Sequence, residues 1–482
     1  MSLPSVNLTE LDGALGSLAS SGDKMLVVVG ASSAGTANAP AAYGRITDLV
    51  AAFGKGPMVE MAAHHIRRRG RAVVVKTGAT VAGTATAVTQ VGTGTIVATI
   101  AASPAPNDDY EVVIKVITGG TRGSAGITYQ VSYDGGRNFG PVTALGTDVA
   151  ITLTEAGTLV VNLAAGTFLA GDTISFRTTA ARWNDAEITA ALLALQNAVI
   201  SWDVAAIAGA IDANAFDAID TAVRAMRTVG KHRMWIGSAR MPTIGESEAT
   251  YKAALDAIFA SKASTCGVVC AGAVKHTSAI SGRKYKRPVA FVAASLEQGS
   301  AEHIDTAAID LGPIDSISIK DSNGNPDEHD EVVSPGLDDS RFYVLRTWDG
   351  VQGTYVNLPR IFSATGSDFR LVPHRRVMNL ANEALLQYLQ RRLHKPVRVD
   401  RITGFIREED ALQIEAGARA VLAAVLLTTP KASAASFVLS RTDNILTTRT
   451  LTGQARVIPL GYPETITAEI GFTNPALQVQ TA

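Results

Sequence analysis

The chain has 482 residues with 43 basic and 44 acidic side chains, enough length for several domains and no charge excess pointing to nucleic acid or anionic lipid. Its 2 cysteines exclude a disulfide framework, and no apolar run approaches the roughly 20 residues that cross a bilayer. The opening MSLPSVNLTELDGALG has neither the basic nor the apolar region of a secretory signal, so the expectation is a soluble chain made in a cytoplasm.

Residues 1–24 are polar, with a short apolar alternation at Val6 and Leu8, and read as an arm rather than as part of a compact domain. An apolar strand, Leu26 to Val29, stops at Gly30. The loop that follows has the glycine separation of a phosphate-binding loop, Gly30 and Gly35, but Thr36 and Ala37 stand where lysine and a hydroxyl residue must. The three-glycine dinucleotide fingerprint is absent too, and Pro40 interrupts the place where its helix would start. No nucleotide is expected here. A helix begins at Pro57, with Val59, Ala62, Ala63 and Ile66 at helical spacing. Arg67–Arg69 and Gly70 suit its carbonyl end. The strand Ala72–Lys76 completes a β-α-β unit, the start of a mostly parallel sheet.

From 79 to 179 the chain is rich in threonine, valine and glycine, with short strands and no helical period, the signature of a small β-sandwich inserted into a surface loop. Asp134-Gly135-Gly136 reads as a hairpin turn rather than a cation site. Helix and strand alternate again over 180–335, which with 25–78 forms an α/β domain. Helices are expected at ITAALLALQNAV, AFDAIDTAVRAMRTV and TYKAALDAIFASK, and strands at HRMWIGSA, CGVVCAGAV and RPVAFVAASL. The loop Asp321 to Glu331 is polar and expected to be exposed. Residues 336–462 form a further α+β unit: a strand-turn-strand, a helix of about five turns carrying Val377, Ala381, Ala384 and Tyr388 on one face, a helix from about Glu408 to Leu427, and two strands. Residues 463–482 close the chain with ETITAEIGF, in which Ile466, Ala468, Ile470 and Phe472 alternate with polar residues or glycine as in a half-buried strand.

Motifs for chemistry are missing. His64 and His65 adjoin an arginine run and read as a solvated face, and no zinc spacing occurs. Cys266 and Cys270 fall in an apparent strand, where four residues span about 13 Å, too far for a disulfide. Asp321, Asn323 and Asn325 begin like a calcium loop, but Gly324 and Pro326 break its geometry. No nucleophile elbow is present. No catalytic residue, cofactor or metal is therefore expected.

Two regions together resemble contractile phage tail sheath proteins, a family shared with tailocins and contractile injection systems. One is the strand followed by VGASSAG, NAPAAYGRITDLVAAFGKGP, a helix and a second strand. The other is FRLVPHRRVMNLANEALLQYLQRRLHKPV, an amphipathic helix, the strands to ARVIPLG and the terminal ETITAEIGF. The connector VRVDRITGF departs from that pattern. The resemblance implies a structural subunit that polymerises as a helical tube around an inner tail tube and contracts to drive that tube through a target envelope. It implies a virion protein, assembled in the host bacterial cytoplasm, that inserts in no membrane and binds no nucleic acid directly. Its partners would be neighbouring sheath subunits, the inner tail tube protein, and baseplate and tail terminator proteins. The sandwich would project outward, and terminal arms containing Val6, Leu8, Ile466, Ala468, Ile470 and Phe472 would add strands to neighbours. Arg375, Arg376, Arg391 and Arg392 are candidates for cations facing the tube or a neighbour, against the plain reading of a solvated helix face. Two other readings stay open: another tail component of baseplate or tube type, and an α/β enzyme with an attached sandwich.

Overall fold

The computed structural model describes residues 24–243, 246–314 and 329–472. Its centre is a six-stranded sheet in the order Gly267–Cys270, Met234–Ser238, Trp202–Ala210, Met25–Gly30, Ala72–Lys76, Ala41–Tyr43. The first five run parallel and the short Ala41–Tyr43 strand is antiparallel at the edge. Leu26–Val29 and Ala72–Val75 are buried on both faces, which is why they read as unbroken apolar runs and not as alternations. Helices Pro57–Arg69 and Ala290–Gly299 pack together over the sheet, as do Asp185–Asn197 and Ala213–Thr228. Asn184 starts one of these helices with a reciprocal capping box to Glu187, and Asp212 caps another.

Three elements differ from expectation. The segment CGVVCAGAV, expected as one strand, ends its first strand at Cys270 and, after Gly272 at φ 89°, begins a second strand, Ala273–Thr277, in another sheet. The central strand Trp202–Ala210 is an alanine-rich stretch with little β-branching, so nothing local marks it as a strand. Its small side chains matter for packing: a Cβ on Gly30 would lie 2.7 Å from the Ala208 Cβ. The segment RPVAFVAASL, expected as one strand, is the end of the strand Lys284–Pro288 followed by the helix Ala290–Gly299. Ala290 to Ser295 are all buried, and a helix enclosed on every side gives the same continuous apolar run as an interior strand.

Residues 79–179 form short antiparallel strands around a hydrophobic core of their own, which includes Ile114, Leu153, Val161 and Phe176. One sheet has the order Thr143–Ala144, Thr128–Ser132, Glu111–Thr118, Thr173–Thr179, Thr84–Ala85, and a three-stranded sheet joins Ala150–Leu153, Leu159–Leu163 and Ala98–Ile100. The turn at Gly135 and Gly136 has the positive φ angles expected of a hairpin, 75° and 86°. Asp134 organises it by accepting from Ser132 Oγ at 2.7 Å and from the Asn138 backbone N–H at 2.9 Å.

The chain divides into two compact units, Met1–Leu393 and His394–Ala482. Residues 336–393, expected with the C-terminal part, pack in the first unit. Phe342, Tyr343, Phe362 and Val372 belong to the core of the large sheet. Tyr343 N donates to Val269 O and Phe362 N to Gly267 O, both at 2.9 Å, which covers the outer edge of the Gly267–Cys270 strand. The long helix of this region runs Val372–Gln390.

The second unit contains the helix Glu408–Leu426, the antiparallel pair Ala432–Leu439 and Gly453–Pro459, and the short helix Ile445–Thr448 between those strands. Ile414, Ala418, Leu422 and Leu426 give the helix its buried stripe. Glu415 lies on that stripe too, and it earns burial through partners: Leu439 N at 2.7 Å, Arg441 Nη1 at 2.6 Å and Arg419 Nη2 at 2.9 Å.

Candidate assembly surfaces

The glycine loop after the first strand folds onto its own neighbours. Ser33 N donates to Lys55 O at 2.8 Å, Ala34 N to Phe53 O at 3.0 Å, and Lys76 Nζ to Gly35 O at 3.0 Å. A Cβ on Gly35, whose φ is +90°, would lie 2.5 Å from the Phe53 ring. The loop is a tight strand-to-helix connection, tied at Ser33, Ala34 and Asn38 to backbone carbonyls of its own chain.

The ionisable groups of the interior also serve as connectors. His329 sits between Glu248, 2.9 Å from Nδ1, and Glu331, 2.7 Å from Nε2. The two carboxylates outweigh burial and hold the imidazolium, with a pKa raised to about 9. His329, Asp330 and Glu331 are thus buried, where the whole loop 321–331 was expected to be exposed. The rest of that loop, with Asp321, Asn323 and Asn325, lies outside the described residues. Glu297 is buried and accepts from the Tyr343 hydroxyl at 3.1 Å and from the Thr306 hydroxyl at 2.5 Å. Burial pushes its carboxyl up to about 7. His64 and His65, read as a solvated face, are buried as well. His65 Nδ1 lies 3.0 Å from Ser295 Oγ, and burial takes the imidazole down to about 4. Cys266 and Cys270 are free, buried thiols whose pKa burial raises. Among the described residues there is no group of three or more metal-ligating side chains and no helix long and apolar enough to cross a membrane.

The four arginines singled out in the sequence part company. Arg375 and Arg376 are each only 4% exposed, so neither faces outward from this chain. Arg376 donates from Nε to Asp203 Oδ2 at 3.2 Å and from Nη1 to Glu297 O at 2.6 Å and Ser300 O at 2.9 Å. Arg375 donates to Asn379 Oδ1 at 2.8 Å and lies over the Phe369 ring. For Arg376 the start of the Trp202–Ala210 strand and the end of the helix Ala290–Gly299 supply the acceptors that take the place of water. Arg391 is exposed and Arg392 half-buried, stacked 5.3 Å from the Tyr388 ring centroid. Asp203, the partner of Arg376, carried no motif in the sequence. An acidic residue in the second position of an apolar strand was the one available signal.

The terminal segments present a different chemistry. Val6 and Leu8 lie outside the described residues. Ile466, Ala468, Ile470 and Phe472 are described and exposed, and residues 460–472 form no strand. Ile470 and Phe472 are 98% and 109% exposed. The expected half-buried strand is therefore absent from the isolated chain, because an alternating pattern needs a sheet edge to pair with. Such an edge exists nearby in sequence: among the described residues, Ala432–Leu439 and Gly453–Pro459 form a two-stranded sheet. Every residue of Gly453–Pro459 is exposed or half-buried.

The family described as DUF2586, N-terminal domain, matches residues 3–358. The chain belongs to this family. No curated protein matches the DUF2586 chain by sequence. Among solved structures, its fold is similar to that of the anti-feeding prophage helical sheath in the contracted state, with 12% identity, a TM-score of 0.52, and 98% and 99% of the two chains covered. It also matches the sheath tail protein of Desulfitobacterium hafniense at 11% identity and TM-score 0.47, covering 95% of this chain and 100% of that one. For the sheath tail protein of Listeria innocua the values are 11% and 0.44, with 92% and 97% covered. The DUF2586 chain thus has a mixed helix and sheet fold of the sheath type, over nearly its whole length.

Proposed function

We propose that this chain is a structural, non-enzymatic subunit of a contractile tail sheath. It would polymerise as a helical tube around an inner tail tube and contract to drive that tube through a target envelope. The observation that carries the reading is the whole-chain similarity to the contracted anti-feeding prophage sheath. The exposed apolar alternation at Ile466, Ala468, Ile470 and Phe472 and the exposed strand Gly453–Pro459 support it. A segment that forms no strand alone gains main-chain hydrogen bonds and register by joining another sheet. Head-to-tail contacts of this kind build rings or helical filaments rather than closed dimers.

In this reading residues 463–482, with 1–24 at the other end, act as arms that keep neighbours linked while the lattice changes pitch. Residues 79–179 point outward as an all-β sandwich carried on the α/β domain. Neighbouring subunits, tube, baseplate and terminator proteins are the partners, within a phage virion or an injection device assembled in a bacterial cytoplasm. Contraction would move subunits as rigid bodies into a better-packed lattice, with the energy coming from new contacts. Of the four arginines, Arg391 and Arg392 remain as cations available to a tube or neighbour.

Electron microscopy of negatively stained full-length protein tests the proposal against the same protein lacking 463–482. Long hollow tubes from the full chain and soluble folded particles from the truncated one are expected. Small particles of one fixed size in both samples would refute it.

A further inference from the structure

Residues 79–179 are attached to the α/β body by two chain crossings, one after the Ala72–Lys76 strand and one before the Asp185–Asn197 helix. A third attachment comes from elsewhere in the chain. The hairpin of Ala273–Thr277 and Lys284–Pro288 packs Tyr285 into the inserted segment's core. Its ring meets Tyr110 at 5.6 Å between centroids. Beside these attachments the two parts stand away from each other across a cleft of about 1000 Å³. Thr84, Thr86 and Phe176 line it from one side, and Ile207, Ala208 and Arg240 from the other.

Arg287, on the same hairpin, lies at the margin of that cleft and is fully buried. Its Nη2 donates to Asp108 Oδ2 at 2.8 Å and its Nη1 to Asp109 O at 2.9 Å, both in the segment leading into the strand Glu111–Thr118. The Asp109 carboxylate is 4.0 Å from Nη1 and also accepts from Ala180 N at 2.7 Å, so one residue touches the hairpin and the second crossing. Glu60, from the helix Pro57–Arg69, is the third carboxylate near the guanidinium, and the Ser278 hydroxyl donates to it at 2.8 Å. The Tyr285 and Phe291 rings lie 5.0 and 6.0 Å from the Arg287 carbon. A single cation therefore joins the hairpin, the inserted segment and a body helix.

The division of labour between these contacts follows from their chemistry. Apolar contacts such as Tyr110 against Tyr285 are non-directional and tolerate sliding. A planar guanidinium with two donors in fixed directions does not. Asp108 has almost no access to water, so rotation of the inserted segment would strand its carboxylate in the interior.

We propose that Arg287 is the pin of a clamp that sets the angle of the inserted segment on the body, so that the two travel as one rigid piece and the cleft keeps its width. The inference concerns the single chain and does not depend on the sheath reading.

Spin-label distance measurement tests it. Ala51→Cys on the body and Lys115→Cys on the inserted segment are exposed label sites, whereas the native Cys266 and Cys270 are buried and escape labelling. The native background should give one narrow distance distribution. Arg287→Met keeps bulk but removes the donors, and should broaden the distribution and add a second population. Amides over 107–112 should then exchange roughly tenfold faster or more. Arg137→Met removes a pair with Glu111 inside the inserted segment and should leave the distribution narrow. A folded Arg287→Met protein with the native distribution overturns the proposal, as does equal broadening by Arg137→Met. If Arg287→Met does not fold, Asp108→Asn decides in its place: broadening supports the clamp and a native distribution overturns it.

Discussion

Arg375 and Arg376 are adjacent in the sequence and both buried, yet they are held by different partners, Asn379 for one and Asp203 with two backbone carbonyls for the other. Removing one member of a buried pair leaves the other without compensation. Arg376→Met should therefore destabilise the protein by about 3–5 kcal/mol, and adding Asp203→Asn should restore part of that loss. Urea denaturation of the two variants measures both effects. Glu297 supplies the pH-dependent counterpart. Its folded-state pKa of about 7 lies above the ordinary 4.5, so the folded chain binds the proton more tightly than the unfolded chain does. Its contribution to stability therefore improves as pH falls from about 7 toward 4.5, and worsens as pH rises through that window. Glu297→Gln removes this titration. The stability of the native protein relative to that variant should rise on going from pH 8 to pH 5, by on the order of 2–3 kcal/mol, read from urea midpoints.

At the scale of elements, the same local pattern met different fates according to its surroundings. The alternation at Ile466 to Phe472 specifies which residues would share a face, but no strand forms without a partner edge. Substituting aspartate at both Ile470 and Phe472 should leave the chain's stability within about 0.5 kcal/mol, since neither side chain is buried. The same change should abolish tube formation seen by electron microscopy. Loss of folding, instead of assembly, would place this segment inside the monomer. Close approach is the opposite case. A Cβ on Gly267 would lie 2.3 Å from the Trp235 ring, itself fully buried, so Gly267→Val must move the ring or the edge strand. A melting-temperature drop corresponding to about 1–3 kcal/mol is expected, the usual cost of overpacking.

For the whole molecule, the division at Leu393 and His394 has a consequence for folding. The first unit encloses the large core together with the separate core of residues 79–179. A fragment spanning 24–393 should fold cooperatively without the rest, with a sigmoidal thermal transition in circular dichroism. A fragment that melts without a transition would show that the second unit is needed to complete the first.

The sequence alone determined the absence of motif chemistry, the β-α-β opening, the inserted all-β segment and the amphipathic helices, because composition, turn residues and hydrophobic period are local properties. Order along the chain also sufficed for the sheath resemblance. Other features depended on contacts far apart in sequence. The strand Trp202–Ala210 is defined by the strands on either side of it, and the helix Ala290–Gly299 by burial on every face. Residues 336–393 join the first unit because their backbone pairs with the Gly267–Cys270 strand. Arg375 and Arg376 read as surface cations until their acceptors are seen, since a charged side chain is buried only where specific partners replace water. Tertiary structure also decided that the terminal alternation stays exposed, for a strand pattern states which side would be buried but supplies no edge to bury it against.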